Sequence, residues 1–538
     1  MEGKIVLFNP SARRNVPYYR LPLGLIATSS ILAHEGYQIK IISQDVDPDF
    51  RQHVLDEVKD AICLGISSLT GTQIDLGIAL ARLVKERHPQ VPIVWGGVHP
   101  SILPRQTCQH PTVDIVVKGG QGELTFAELV HRLEAGQPLD GLAGVTFKRD
   151  GEVVDNGERR FASLNDLPPW PFHLVDVKNH LEVTKKGNRV VNYISSIGCP
   201  SRCGFCSEPL TSQRLWKAKS PERTLDEIEL LVREYGANVI LIEDNNFFTD
   251  LRRVRKICEG FLERKLQVKW GRVPGRVDRL IHLDDAFWQL LKESGCYQIL
   301  VGVESGDQEM LDLIYKDTTV EEYLTVQERA QRHGIRLACS FITGMPIPPQ
   351  YKGRLSYKEE LKKSVDQVRH VALQTNGFHS FNFYIYSPYP GTLLYHHSLK
   401  LGLKEPKSLE EWAAFHHRSE VSPPWVTQNQ KNFVTYFVQL LELLEHRKLS
   451  KTKNPLLLLM YKVIAWITDL RWKHHFFRFP LELWLLREYG LMKFRRVVKQ
   501  QMKSRKAGGT GPASENLRID TYTADEQILQ AQTEQAGV

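Results

Sequence analysis

The first 145 residues alternate short β-rich apolar runs with longer stretches in which apolar positions recur at helical spacing. Five runs, "KIVLFNP", "IKIISQD", "AICLGISSL", "VPIVWGGV" and "DIVVKGG", have the length and β-branched content of strands. Between them lie amphipathic stretches such as "IDLGIALARLVKERHP", whose basic last turn is followed by a proline. Strands that are apolar throughout and separated by helices predict a parallel sheet covered on both faces, an α/β doubly wound domain over 1–145. Such a domain binds ligands at the carboxyl ends of its strands. "GVTFKRDGEVVDNGERR" predicts a β-hairpin turning at Asp150-Gly151 and "LNDLPPWPF" a proline-rich connector, so 146–187 reads as hairpin and linker.

A second alternation occupies 188–395. Its six strand candidates are "VVNYISSIG", "VILIED", "VKWGRV", "QILVGVES", "LACSFITGMP" and "SFNFYIYSP". Helical patterns such as "TLDEIELLVREYG", "DDAFWQLLKESG" and "VEEYLTVQERAQRHG" separate them. Six βα units make a (β/α)6 partial barrel rather than a closed one, with chemistry expected at the C-terminal ends of the strands. Beyond 400 the strand patterns stop. Residues 396–505 read as a helical, aromatic and basic region, and 506–538 as a disordered tail.

The strand ends of the first domain are rich in glycine and small residues. Ser67-Ser68-Leu69-Thr70-Gly71 follows the third strand, Gly96-Gly97-Val98-His99-Pro100 the fourth, and Gly119, Gly122 and Glu123 lie just after the fifth. Any one of these is accounted for by a tight βα turn. All three at one edge of a sheet favour a ligand. No G-x-G-x-x-G follows the first strand, which disfavours a dinucleotide.

Composition narrows the setting. The chain has 538 residues, 42% of them hydrophobic, enough for several cored domains. Its eight cysteines are too few and scattered for a secreted disulfide scaffold. "MEGKIVLFNPSARR" reads as a first strand rather than a signal peptide, and no apolar run reaches membrane-spanning length. A cytoplasmic protein is expected. The net charge of +8 is local: 447–506 carries 16 Lys or Arg against 3 Asp or Glu. There "NPLLLLMYKVIAWITDLRWKHHFFRFPLELWLLREYG" reads either as a helical cap on the barrel or as a peripheral membrane contact. Nucleic acid is disfavoured, because the aromatics are embedded in aliphatic runs.

The sharpest signal is "IGCPSRCGFCSEP", which places Cys199, Cys203 and Cys206 directly after the first strand of the second domain. Clustered thiolates point to zinc or iron–sulfur. Structural zinc takes four protein ligands, and none of Cys63, Cys108, Cys258, Cys296 and Cys339 is near in sequence, although His173 and His180 could complete a site. A 4Fe-4S cluster on three cysteines leaves one iron open to bind a substrate.

C-x-x-x-C-x-aromatic-C, with Phe205 as the aromatic, resembles the signature of radical SAM (S-adenosylmethionine) enzymes. Further stretches resemble the cobalamin (B12)-binding branch, which places a doubly wound B12 domain before the barrel. They include "PLGLIATSSILAHEGYQIKII", "WGGVHPSILP", "LIEDNNFF", "VGVESGDQEML", "FITGMP" and "SPYPGTLLY". That branch includes B12-dependent radical methylases and anaerobic magnesium-protoporphyrin ester oxidative cyclases.

The resemblance implies that Cys199, Cys203 and Cys206 ligate the cluster and that the amino and carboxylate groups of SAM chelate the fourth iron. Phe205, Glu304 and Ser305 would contact SAM, and Glu243, Asp244 and Gly344 would line the same cavity. The alternative for Glu304 is a carboxylate capping the next helix. Cobalamin would lie against Gly24, Ser67, Ser68, Thr70, Gly96, Gly97, His99, Gly119, Gly122 and Glu123. The chain has no D-x-H-x-x-G, so no histidine–cobalt bond is implied, and a structural or tail-contacting role is expected for His99. The implied chemistry is reductive cleavage of SAM to a 5′-deoxyadenosyl radical, with electrons from a donor such as flavodoxin or ferredoxin. The radical would serve methylation of an unactivated carbon in a small hydrophobic substrate, such as a lipid, isoprenoid or tetrapyrrole. Oxidative cyclisation and a non-catalytic, metal-stabilised cobalamin sensor are the alternatives.

Overall fold

The structure is a computed structural model that describes residues 3–12, 19–415 apart from three single positions, and short pieces between 423 and 474. Most of the basic 447–506 segment, and the tail 506–538, lie outside the described residues. No helix among the described residues is long and apolar enough to cross a membrane.

The first domain is built on β1 (Lys4–Asn9), β2 (Gln38–Ser43), β3 (Ala61–Ser67), β4 (Ile93–Gly96) and β5 (Ile115–Val117). These five pair in parallel in the order β2-β1-β3-β4-β5. The four central residues of β1 are all buried, as a strand covered on both faces requires. The chain reverses direction across the sheet between β1 and β3, and the crevice above that point is where an open α/β sheet takes a ligand. The hairpin, β6 (Val145–Arg149) and β7 (Glu152–Asp155), does not stand in the connector as expected. It pairs antiparallel with β5 and extends the first sheet to seven strands.

The second sheet begins with β8 (Glu182–Val183) and β9 (Arg189–Tyr193). A two-stranded pair follows, β10 (Ser196–Gly198) and β11 (Trp216–Ala218). The sheet then continues through β12 (Val239–Ile242), β13 (Lys269–Gly275), β14 (Cys296–Glu304), β15 (Arg336–Thr343) and β16 (Ser380–Ile385). Six strands run parallel in sequence order, from β9 to β16, with β8 antiparallel at the edge. This is the expected (β/α)6 partial barrel. Burial alternates along β15: Leu337, Cys339 and Phe341 pack outward under the helices, while Ala338 and Ser340 are half-buried on the other face. The crossover helices Pro221–Arg233, Asp285–Glu293 and Val320–Arg332 are each capped by a side chain, from Ser220, Asp284 and Thr319. Each chain then leaves through a glycine at positive φ, Gly236, Gly295 or Gly334.

After β16 the chain returns to the first domain. Helix Leu409–Ala413 packs on helix Thr72–Arg87, and Trp412 and Phe415 are buried in the same core as β1 and β3. Trp412 donates to Gln106 Oε1 at 2.7 Å, and Glu410 pairs with His110 at 3.0 Å.

Candidate active site

The cysteine loop is held at its base by Asp244, at the end of β12. This carboxylate is 1% exposed and accepts from Ser195 N at 2.6 Å, Ser195 Oγ at 2.7 Å and Ser196 Oγ at 2.5 Å. At Gly198 (φ +83°) a Cβ would stand 2.1 Å from the Leu215 carbonyl oxygen, so only glycine lets β10 open into the loop. Further on, Gly204 N donates to Ile314 O at 2.8 Å and Leu394 N to Gly204 O at 2.9 Å. The backbone is thereby pinned at Gly204, directly after Cys203.

Cys203 is buried and its Sγ accepts from Arg276 Nη1 at 2.9 Å; Cys199 and Cys206 are half-buried. Burial pushes the Cys206 thiol up to about 12, and a metal bound there would hold it as the thiolate. A cubane on three cysteines asks each thiolate to meet a different iron rather than to converge on one ion. Among the described residues no three His, Cys, Asp or Glu side chains are gathered as a single-ion site.

The predicted SAM residues divide into groups. Glu304 ends β14 at φ +70°, 5% exposed, and accepts from the buried Lys316 Nζ at 2.8 Å. A left-handed non-glycine residue beside a buried ion pair is strain of the kind found at functional sites. Glu304 does not cap the following helix; Asp307 does, through Glu309 N at 3.1 Å. Lys316 Nζ also lies 5.8 Å from the Phe205 ring, which joins Glu304 to the cysteine loop. Ser305 faces the other way, donating to the buried Glu360 at 2.7 Å. Glu243 reaches across to Arg20 of the first domain at 3.3 Å and accepts from Asn192 Nδ2 on β9 at 3.1 Å. Gly344 is covered by Val426 and bonded to Trp425 Nε1 at 2.9 Å.

Above the switch point of the first sheet lies a cavity of about 310 Å³ whose wall is mostly apolar. The sequence-predicted Gly24, Ser67, Gly96, Gly97, Gly119, Gly122 and Glu123 all line it. A Cβ at Gly24 or Gly119 would meet nothing within 4 Å, so these glycines leave open space where any side chain would fill it. That fits a broad ligand pressed against the strand ends. Ser68, Thr70 and His99 are not in the wall. His99 is buried, its Nδ1 3.1 Å from Thr70 Oγ1 and its ring 5.8 Å from Trp412. Burial pushes it down to about 3, so it stays neutral. Its ring packs against Trp412 rather than lining the cavity.

Sequence reasoning missed Trp170, Glu208 and Asn245, which complete the wall from the connector and the barrel. Glu208, two residues after the last cysteine, is driven up to about 7 by burial, and burial also raises Glu123. Gly198, Glu208 and Thr211, which flank the cysteines on both sides, line the same cavity as Gly97 and Gly119. The segments flanking the cysteines therefore reach the cavity above the first sheet, while the cysteines themselves are not in its wall.

Filling that space separates binding from folding. Gly24 is in helix Leu23–Thr28, where phenylalanine gains about 0.3–0.5 kcal/mol of helix propensity over glycine. We expect Gly24→Phe to fold normally yet bind hydroxocobalamin at least about tenfold more weakly, a change of about 1.4 kcal/mol. An absorbance titration checks this, and unchanged affinity would place the cofactor elsewhere.

Residues 193–351 match the Radical SAM superfamily and 12–130 the B12 binding domain. An uncharacterized methyltransferase of Pyrococcus horikoshii is 28% identical over 70% of this chain and 78% of its own length. The anaerobic magnesium-protoporphyrin IX monomethyl ester cyclase of Synechocystis is 24% identical over 70% and 76%. Among solved structures, the cobalamin-dependent S-adenosylmethionine radical enzyme OxsB with aqua-cobalamin bound superposes with a TM-score of 0.65 at 18% identity. It covers 99% of this chain and 84% of its own, a likeness of fold. The chain joins a B12-binding domain to a radical SAM domain and is an enzyme of the radical SAM superfamily, similar to the cobalamin-dependent members above. Its cofactors are a 4Fe-4S cluster, SAM and cobalamin.

Proposed function

We propose that this enzyme methylates an unactivated carbon of a small hydrophobic substrate, with Cys199, Cys203 and Cys206 as the cluster ligands. The observation that carries the reading is the shared cavity wall: the segments flanking the cysteines and the glycine ends of the B12 domain enclose one space. Methylation is favoured by the Pyrococcus relative, a methyltransferase by name that matches over most of its length. When bound, the cluster and SAM supply a carbon-centred radical and cobalamin the methyl group.

The chain's own residues do the rest. Asp244 fixes the loop that presents the thiols. Lys316 neutralises Glu304 at the end of β14, beside the aromatic of the cysteine motif. Leu23, Phe126, Trp170 and Ile197 make the cavity wall apolar, which excludes water from reactive species and suits an apolar substrate. Electrons would come from a low-potential protein donor such as flavodoxin or ferredoxin.

The test is anaerobic turnover with SAM deuterated in its methyl group, hydroxocobalamin, a strong reductant and candidate apolar substrates. The proposal expects 5′-deoxyadenosine and S-adenosylhomocysteine together, with label in the product. Deoxyadenosine with an oxidised, unlabelled product would instead establish the cyclase type of reaction.

A further inference from the structure

We infer that Arg276 is a positioning residue that acts through Cys203 to raise the reduction potential of the cluster. The inference rests on the reading of Cys203 as a cluster ligand. Arg276 follows β13 and is 8% exposed, and each of its guanidinium nitrogens has a partner. Nε donates to Asp278 Oδ1 at 2.8 Å, Nη2 to the Lys316 carbonyl at 2.6 Å and Nη1 to Cys203 Sγ at 2.9 Å. The fork is fixed on two sides before it meets the sulfur, so its N–H is aimed rather than merely nearby.

A hydrogen bond from a cation withdraws electron density from a ligating thiolate, and a buried positive charge favours whichever cluster state is more negative. One-electron reduction adds one negative charge to the cluster. Arg276 therefore stabilises the reduced form more than the oxidised form. Asp278 moderates this by placing a carboxylate against the same guanidinium. Lys316 links the two ends of the arrangement: its carbonyl accepts from Arg276, and its ammonium holds Glu304. The donor to Cys203 thus sits in the same network as the residue that the fold strains at the end of β14.

The arrangement gives opposite signs to two substitutions, which a purely structural role does not. The measurement is an EPR-monitored reductive titration of anaerobically reconstituted protein without SAM. In R276Q, which loses the charge, the midpoint is expected to fall by at least the equivalent of a tenfold change in the reduced-to-oxidised ratio, about 59 mV. R276K, which keeps a charge without the fork, should fall less. D278N leaves the donor in place and removes the counter-charge, so its midpoint should rise. Unchanged midpoints in R276Q and D278N, or shifts of the same sign, would overturn the inference. Should R276Q fail to hold iron, R276K and D278N carry the test. Iron loss from both Arg276 variants with an unmoved D278N would assign Arg276 to shaping the loop alone. A wild-type protein without an iron–sulfur spectrum would instead sink the reading of the cysteines, and this inference with it.

Discussion

Cys203→Ala is expected to leave a folded protein with no brown iron–sulfur chromophore, background iron and no 5′-deoxyadenosine from SAM. The sulfur is buried and held between a pinned backbone and the Arg276 guanidinium, so nothing nearby can replace it. With two thiols left, a second iron would lack a protein ligand, and cubane assembly depends on thiolate ligation. Cys339→Ala is the control. That thiol is also buried, but it sits under a crossover helix, accepting from Tyr323 Oη at 3.5 Å. Its loss strands the buried Tyr323 hydroxyl as well as packing, and should cost about 1–3 kcal/mol while leaving the iron in place. Retained iron in Cys203→Ala, or equal iron loss in both variants, would contradict the assignment.

Asp244→Ala is expected to be the most destabilising single change at the site. It removes a buried acceptor and strands three donors, Ser195 N, Ser195 Oγ and Ser196 Oγ, at about 1–3 kcal/mol for each unsatisfied group. These donors share one carboxylate and their costs do not simply add, so a total of about 3–5 kcal/mol is expected. For a barrel of this size that lowers the unfolding midpoint by roughly 10 °C. Asp244→Asn keeps one acceptor oxygen but turns an amide N–H₂ toward a hydroxyl, and should fall between the two. Anaerobic thermal unfolding of the metal-free proteins checks this without interference from cluster loss. A midpoint within about 2 °C of wild type would show that the loop base is not held by this carboxylate.

Much of the scaffold was legible in the sequence because its strands are buried on one or both faces and carry that burial as apolar runs. All five parallel strands of the first sheet and all six of the barrel overlap the quoted segments, overrunning them by two residues at most. The glycine ends were legible for the same reason that they work: a residue without a side chain at a strand end is a visible departure from the run.

What escaped was contact between distant segments. Arg276 lies 73 residues from Cys203, and nothing in "GRVPGRVDRL" distinguishes the arginine that meets sulfur from its neighbours. Glu208 and Asn245 entered the cavity wall only once two domains were brought together. Conversely, His99 stands in a glycine turn that lines the cavity, yet its ring turns into the core to meet Trp412, more than 300 residues later in the chain. Ser305 follows Glu304 directly yet faces the helix layer, where Glu360 takes its hydroxyl; the left-handed turn at Glu304 ends the strand's alternation there, so sequence period does not separate the pair. The hairpin's place beside β5 could not be read from its turn, because turn chemistry specifies a hairpin but not its neighbour.

The most direct test of the central claim is the metal content of anaerobically reconstituted protein, measured together with 5′-deoxyadenosine formation on reduction in the presence of SAM. This account predicts close to four irons and four sulfides per chain, with deoxyadenosine that disappears in Cys203→Ala. Zinc in place of iron, with no deoxyadenosine from the wild type, would contradict it.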